Sequence, residues 1–200
     1  MYPGCKLPYA ALRAQLMHGF PWHDPLKDYT PIKGDNWWPT MEQVFAAAYQ
    51  ACGISPALAA AAAGGVRGQI LQPGRYRLYP NAINALRTCQ GAGHTNVLLT
   101  NNYPEVFAIA AALGLAPYFA GAVVSAIEGA EKPNLRLFYT AMARYPADQY
   151  CMVGDNPAAD LAGAAGAGIP CLLVHRTKTY AAPWLFDLGQ VPGVIARTIK

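Results

Sequence analysis

Two carboxylates five positions apart give this 200-residue sequence its clearest sign of chemistry. Asp155 and Asp160 follow the apolar run 150–153, and a segment of small residues comes directly after them. Only 11 residues of the whole chain are acidic, so a close pair at this point stands out. Mg²⁺ takes carboxylate oxygens and waters as ligands in proteins. The pair therefore predicts a site for a hard divalent cation.

Two other positions carry polar groups at the ends of apolar runs. Thr100 and Asn101 follow the apolar residues 97–99, and Lys132 stands before Pro133 at the start of an amphipathic segment. Open α/β sheets bind ligands beyond the carboxyl ends of their strands. We expect these side chains to share one edge of a sheet with Asp155.

The elements that would position these residues alternate regularly in the second half of the chain. Apolar runs predict strands at 96–100, 121–127, 150–153 and 170–175. Helical patterns separate them, at 81–91, 104–113, 133–144 and 161–168. Continuous apolar strands alternating with helices are typical of a parallel sheet covered on both faces. The predicted fold class is α/β, with a Rossmann-like sheet over residues 76–200.

The first 75 residues have a different pattern. They predict helices at 8–18, 38–52 and 56–63, followed by a flexible turn at 64–68, and they contain no convincing strand. Aromatic and proline residues concentrate where these segments join. We expect a helical region over residues 5–75, distinct from the α/β core.

Composition narrows the possible partners and compartment. The net charge is +4 without a basic block, and no apolar run reaches the roughly 18–20 residues of a membrane helix. We therefore expect neither a nucleic acid nor a membrane as partner. The first residues lack the basic and apolar regions of a signal peptide. The five cysteines contain no C-x-x-C spacing, which favours free thiols in a reducing cytoplasm.

The ordered polar groups resemble the motifs of the haloacid dehalogenase (HAD) superfamily. Thr100 with Asn101 matches its second motif, Lys132 its third, and Asp155 with Asp160 its fourth. The resemblance is close over residues 78–176, and the helical region is similar to the helical cap of that superfamily. It implies a hydrolase, most often a Mg²⁺-dependent phosphatase of a small phosphorylated metabolite.

The resemblance also implies a role for each matching residue. Thr100, Asn101 and Lys132 would be catalytic, and donors of these types suit the spread negative charge of a phosphoryl group. Asp155 would hold Mg²⁺, with Asp160 as a second ligand or as an orienting neighbour. Without the other motifs, the two acids are better explained as loop acids or helix caps, and Lys132 as part of an ordinary helix start before a proline.

One motif of the superfamily is missing from the sequence. Its first motif is a strand ending in Asp-x-Asp, whose first carboxylate is the nucleophile. None of the seven aspartates stands in such a pair; they are Asp24, Asp28, Asp35, Asp148, Asp155, Asp160 and Asp187. The run 186–189 is only a faint echo of the motif. We expect the chain as written to lack the first core strand and to be nearly inactive.

The sequence is compatible with several interpretations. The missing motif is explained by truncation or a misplaced start, or by a genuine non-catalytic relative that binds a phosphorylated ligand as a scaffold. A 2-haloacid dehalogenase is the alternative enzyme, since that chemistry uses the same nucleophile without the metal. The substrate and the oligomeric state are unknown from the sequence.

Overall fold

The computed structural model describes residues 7–175 and 184–198. Cys5 and the first residues of the predicted helical region lie outside these ranges, as do the last two residues of the predicted core. Within the described part, no helix combines the length and the hydropathy that crossing a membrane requires. Four cysteines are described and all are free thiols, of which Cys89 and Cys171 are buried.

The N-terminal region is helical, as predicted. Its helices are α1 (Tyr9–Gln15), α2 (Trp37–Ala51), α3 (Pro56–Gly64) and α4 (Val66–Ile70). The prediction of a flexible turn at 64–68 was wrong, because α4 begins at Val66. Gly65 adopts a right-handed helical conformation (φ −78°, ψ −15°), so it joins two helices instead of ending the helical segment. Glycine permits a turn without requiring one.

The rest of the chain alternates between helices and strands, which confirms the α/β prediction. In order, the elements are α5 (Ala82–Gly91), β1 (Val97–Thr100), α6 (Val106–Ala112), β2 (Gly121–Val124), α7 (Ser125–Glu128), α8 (Leu135–Arg144), β3 (Met152–Gly154), α9 (Ala162–Gly166), β4 (Cys171–Leu173) and α10 (Val191–Thr198). A π-helical turn, Pro157–Leu161, leads from the loop after β3 into α9.

The second strand is shorter than the sequence predicts. It ends at Val124, and residues 125–127 belong to α7 instead of continuing the strand. The Ser125 hydroxyl accepts from the backbone N–H of Asn102 (2.9 Å), on the loop that follows β1. The backbone N–H of Asn102 therefore has a hydrogen-bond partner at the point where the pairing of β1 with β2 stops.

The four strands form two separate parallel pairs. β1 pairs with β2, starting with Val97 opposite Gly121, and β3 pairs with β4, starting with Met152 opposite Cys171. No strand among residues 7–175 and 184–198 joins the two pairs. Leu99 of β1 nevertheless packs against the apolar cluster around Leu173 of β4. The expectation that one strand of the core is missing stays a prediction.

An apolar cluster connects the helical region to the first strand pair. Trp37, Trp38 and Met41 of α2 pack in it with Tyr103 and Val124, which belong to the α/β part. All five side chains are less than 9% exposed. The helices therefore pack directly over the loop that follows β1.

Candidate active site

A buried ion pair lies between the two strand pairs. The Lys132 ammonium donates to Asp160 Oδ1 (2.6 Å) and to the backbone carbonyl of Leu99 in β1 (2.9 Å). The two charged side chains are only 9% and 4% exposed. An ammonium has three donors, so one remains for a further acceptor. Lys132 thus places a positive charge beside the carboxyl end of β1.

Asp160 is held in place by the loop that follows β3. Its Oδ2 accepts from the backbone N–H groups of Asp155 (3.0 Å) and Asn156 (2.9 Å). Gly154 makes this arrangement possible, because a Cβ there would overlap the Asp160 carboxyl group. Both oxygens of Asp160 already have partners, so in this structure the side chain positions Lys132 and the 154–156 loop. Its predicted role as a metal ligand stays a prediction.

Asn101 joins two loops of the site. Its Oδ1 accepts from the backbone N–H of Lys132 (2.7 Å), and its Nδ2 donates to the backbone carbonyl of the same residue (3.0 Å). The amide therefore fixes the loop that carries Lys132 to the end of β1. Both the oxygen and the nitrogen of this side-chain amide bond the backbone of Lys132, so Asn101 acts here by holding the Lys132 loop in place.

Thr100 and Asp155 occupy the ends of two different strands. Thr100 is the last residue of β1 and is half-buried, and Asp155 follows β3 directly with an exposed side chain. Neither the Thr100 hydroxyl nor the Asp155 carboxylate makes a hydrogen bond or ion pair with another described residue. Both groups therefore remain able to bind a ligand at this edge.

Glu131 is a residue of the site region to which the sequence analysis assigned no role. Its side chain is 3% exposed, and burial raises its pKa to about 7 from 4.5, while the Ser125 hydroxyl and the Lys132 charge act in the opposite direction. Its Oε2 has no hydrogen-bond partner among the described residues. The adjacent Lys132 was the only signal in the sequence that Glu131 lies near the site.

Cys171 and Asp187 are two other groups whose residue types could replace the missing nucleophile. Burial, with Asp160 nearby, raises the pKa of the Cys171 thiol to about 12, so this cysteine stays protonated at neutral pH. Asp187, in the faint echo of the first motif, accepts from the Gly189 N–H (2.6 Å) at the start of a short 3₁₀ turn. Neither provides an activated nucleophile at the site.

The residues of the site fit a magnesium ion only in part. Mg²⁺ is usually held by one or two carboxylates together with waters and phosphate oxygens. Asp155 offers one exposed carboxylate of this kind. The described part of the chain brings together no group of three or more His, Cys, Asp or Glu side chains that would hold a metal alone. A cation here would need oxygens from the substrate or from a further carboxylate.

A cavity of about 440 Å³ opens next to the end of β1. Its wall is made of aromatic and aliphatic side chains and two amides: Phe20, Trp22, Trp37, Trp38, Phe45, Ile70, Tyr76, Asn101, Asn102 and Tyr103. The first six come from the helical region, and the last three follow Thr100 in the sequence. The cavity therefore lies between the helices and the loop that holds Lys132.

A curated relative shares part of the sequence. A phosphoserine phosphatase of Thermus thermophilus is 36% identical over 105 residues, which cover 51% of this chain and 42% of that protein. The match thus spans less than half the length of that relative.

Solved structures match over nearly the whole chain. A 2-haloacid dehalogenase from Pseudomonas syringae pv. Tomato DC3000 has a TM-score of 0.68 and 25% identity, covering 96% of this chain and 82% of that protein. A putative HAD-hydrolase of Bacillus subtilis, bound to magnesium, has a TM-score of 0.70 at 18% identity, covering 94% and 81%. This second likeness shows the fold alone. A family model described as haloacid dehalogenase-like hydrolase matches residues 13–168. The chain belongs to the haloacid dehalogenase-like hydrolase family.

Proposed function

We propose that this chain forms the phosphoryl-binding part of a HAD-type phosphatase acting on a small phosphorylated metabolite. The observation that supports this proposal most directly is the position of the Lys132 ammonium. It is buried, and Asp160 and the Leu99 carbonyl hold it at the edge where β1 ends. Its third donor, the Thr100 hydroxyl and backbone N–H groups beyond the strand would bind phosphate oxygens. A phosphatase among the relatives supports the same chemistry.

The proposal separates the roles of the two aspartates. Asp155 is the magnesium ligand, since its carboxylate is exposed and unengaged among the described residues. Asp160 is the orienting neighbour, since its oxygens hold Lys132 and the loop after β3. Magnesium would neutralise the charge that develops on the transferred phosphoryl group. Because Lys132 is already held in place, the site needs little reorganisation when that charge develops.

The catalytic carboxylate is the missing part of this site. The sequence contains no Asp-x-Asp pair, and no described strand joins β1 to β3. We propose that an apolar strand ending in Asp-x-Asp completes the sheet between these two pairs. The carboxyl end of such a strand would lie beside Lys132, between Thr100 and Asp155.

We also propose a division at residue 75 between a helical cap and the α/β core, and a location in the cytoplasm. The free thiols of the described cysteines support the location. The aromatic cavity between the two regions supports the division, because caps and cores enclose substrate between them.

The test compares the 200-residue chain with a version that carries an apolar Asp-x-Asp strand at its N-terminus. Both are assayed on a panel of phosphate esters with and without Mg²⁺. We expect at most trace turnover from the first, and Mg²⁺-dependent turnover from the second that Asp155→Ala abolishes. An inert extended protein, shown by circular dichroism to be folded, contradicts the phosphatase proposal.

A 2-haloacid dehalogenase is the second candidate. The specific observation in its favour is the 25% identity to such an enzyme over 96% of this chain, together with the apolar cavity beside the site. The same extended protein would then release halide from 2-chloropropionate without Mg²⁺. Halide release in the presence of a chelator would support dehalogenase activity instead of phosphatase activity.

A non-catalytic binding protein is the third possibility, motivated by the absence of the nucleophile pair from the sequence. Thr100 and Lys132 would then hold a phosphorylated ligand without cleaving it. Calorimetry with phosphate and Mg²⁺ distinguishes this case, since it predicts binding by a native protein that shows no turnover on the whole ester panel.

A further inference from the structure

The aromatic cavity has the position of a pocket for the organic part of a substrate. One side of the cavity is lined by Asn101, the residue whose side-chain amide holds the loop that carries Lys132. From there it extends to Trp22, Trp38 and Phe45 of the helical region. A phosphoryl group bound beside Thr100 would therefore have its ester substituent directed into a space enclosed mainly by rings.

Most polar groups of the cavity wall already have partners inside the protein. The Trp38 indole N–H donates to the Glu105 carboxylate (2.9 Å), which also binds Arg67. The Tyr103 hydroxyl donates to the Tyr76 hydroxyl (2.7 Å), and Tyr76 donates to the Ile70 carbonyl (2.8 Å). The Trp37 indole N–H is an exception, because it is buried without a hydrogen-bond partner among the described residues. The wall therefore offers a ligand mainly uncharged aromatic surface, with the Trp37 N–H as a donor for a polar atom.

Charge is also absent from the cavity wall that the structure describes. None of its lining residues is Asp, Glu, Lys or Arg, and the Glu105 charge is balanced by Arg67. A zwitterionic substituent such as that of phosphoserine would lose its hydration here without gaining an ion pair, which is unfavourable. An aromatic ring would gain burial and stacking contacts instead.

We infer that the cavity selects monoesters whose leaving group is an uncharged aromatic ring or a similarly apolar group, in preference to amino-acid phosphates. The inference rests on the proposed phosphoryl site for the position of the phosphate. The volume of about 440 Å³ falls within the usual range of small-molecule pockets. It exceeds the volume of an engineered apolar cavity of roughly 150 Å³ that binds benzene.

Binding to the 200-residue chain tests the inference without requiring turnover. The chain is titrated with phenyl phosphate, O-phosphoserine, inorganic phosphate and benzyl alcohol, in the presence of Mg²⁺. Tryptophan fluorescence reports occupancy, because Trp22, Trp37 and Trp38 line the cavity. We expect phenyl phosphate to bind roughly ten- to hundredfold more tightly than phosphoserine, as expected for the burial of one ring.

The matched variants are Trp22→Leu and Trp184→Phe. Trp22 is 47% exposed and stacks on Phe20 (ring centroids 4.5 Å apart), so its replacement removes a ring from the cavity without opening the core. We expect it to reduce the preference for phenyl phosphate over inorganic phosphate by roughly three- to tenfold. Trp184 packs near Leu173, outside the cavity lining, and its replacement should leave that preference unchanged. Phe45→Leu provides a second cavity variant.

The ligand set separates failure of this inference from failure of the phosphoryl site. Phosphate binding with equal affinity for phenyl phosphate and phosphoserine overturns the inference and leaves the phosphoryl site standing. Binding of benzyl alcohol that weakens in Trp22→Leu, without any phosphate binding, supports the aromatic pocket and contradicts the phosphoryl site. A preference for phenyl phosphate that persists unchanged in both Trp22→Leu and Phe45→Leu overturns the assignment to this cavity.

Discussion

Replacement of Asp160 by asparagine tests whether the buried ion pair organises the site. The variant leaves the Lys132 ammonium, 9% exposed, without its negative partner. Removal of one member of a buried pair costs about 3–5 kcal/mol, because the remaining charge stays desolvated and unpaired. The new amide can still accept from the Asp155 and Asn156 N–H groups with its oxygen, but its NH₂ group would then face the ammonium.

The assays are urea unfolding at 25 °C, which gives the free energy of unfolding, and thermal unfolding, which gives Tm, both followed by circular dichroism. For a domain of this size, about 3–5 kcal/mol corresponds to a fall in Tm of roughly 6–20 °C. Asp155→Asn is the matched control, because the same change is made on an exposed side chain without a described partner, and we expect little change in stability. Asp160→Asn with a Tm equal to that of the control would refute the reasoning.

A double variant isolates the interaction itself. Lys132→Met combined with Asp160→Asn removes both charges, so it should be more stable than Asp160→Asn alone. The two residues are in direct contact, and their effects should therefore be strongly non-additive. Additive losses would show that the two side chains act independently.

Two further predictions concern the neighbours of this pair. Glu131 has a pKa raised to about 7 when folded, so its stabilising contribution is complete below 4.5 and is lost as the pH rises through 7. Between pH 4.5 and 7 the free energy of unfolding should fall by about 3 kcal/mol for this reason, and Glu131→Gln should flatten the pH dependence of urea unfolding. A pH dependence that is the same in Glu131→Gln and in the original chain contradicts the role of the buried carboxyl. Gly154→Ala should destabilise the fold by about 1–3 kcal/mol in the same assay, because its Cβ would overlap Asp160. Gly68→Ala, in α4 with open space around its Cβ position, is the control and should be neutral or slightly stabilising; an equal loss in both would exclude the proposed overlap.

The sequence predicted the order of elements because hydrophobic periodicity is a local property. Strands β1, β3 and β4 lie within the predicted apolar runs or one residue beyond them, and the helices before residue 64 were found with only their ends displaced. The predicted end of β2 was wrong, because residues 125–127 belong to a helical turn in which Ser125 bonds the loop after β1. Such a partner, 23 residues away, leaves no local pattern.

The sequence placed the candidate residues at one edge of a sheet without predicting their mutual contacts. Motif order put Lys132 and Asp160 in the same site, and the structure has the Lys132 Nζ and Asp160 Oδ1 atoms 2.6 Å apart, while the catalytic and metal-binding roles stay predictions. That Asn101 holds the Lys132 loop, and that Asp160 has both oxygens engaged, depends on side-chain directions beyond the reach of spacing. The aromatic cavity likewise depends on how α2 packs over the end of β1, which no motif encodes.

Calorimetric titration with inorganic phosphate in the presence of Mg²⁺ tests the central claim, that Lys132 and Asp155 form a phosphoryl-binding site, most directly. We predict that the 200-residue chain binds phosphate, that Lys132→Met weakens binding at least about tenfold, and that Asp155→Ala removes its dependence on Mg²⁺. Phosphate affinity that is unchanged in both variants, or no measurable binding by the folded chain, would contradict the account.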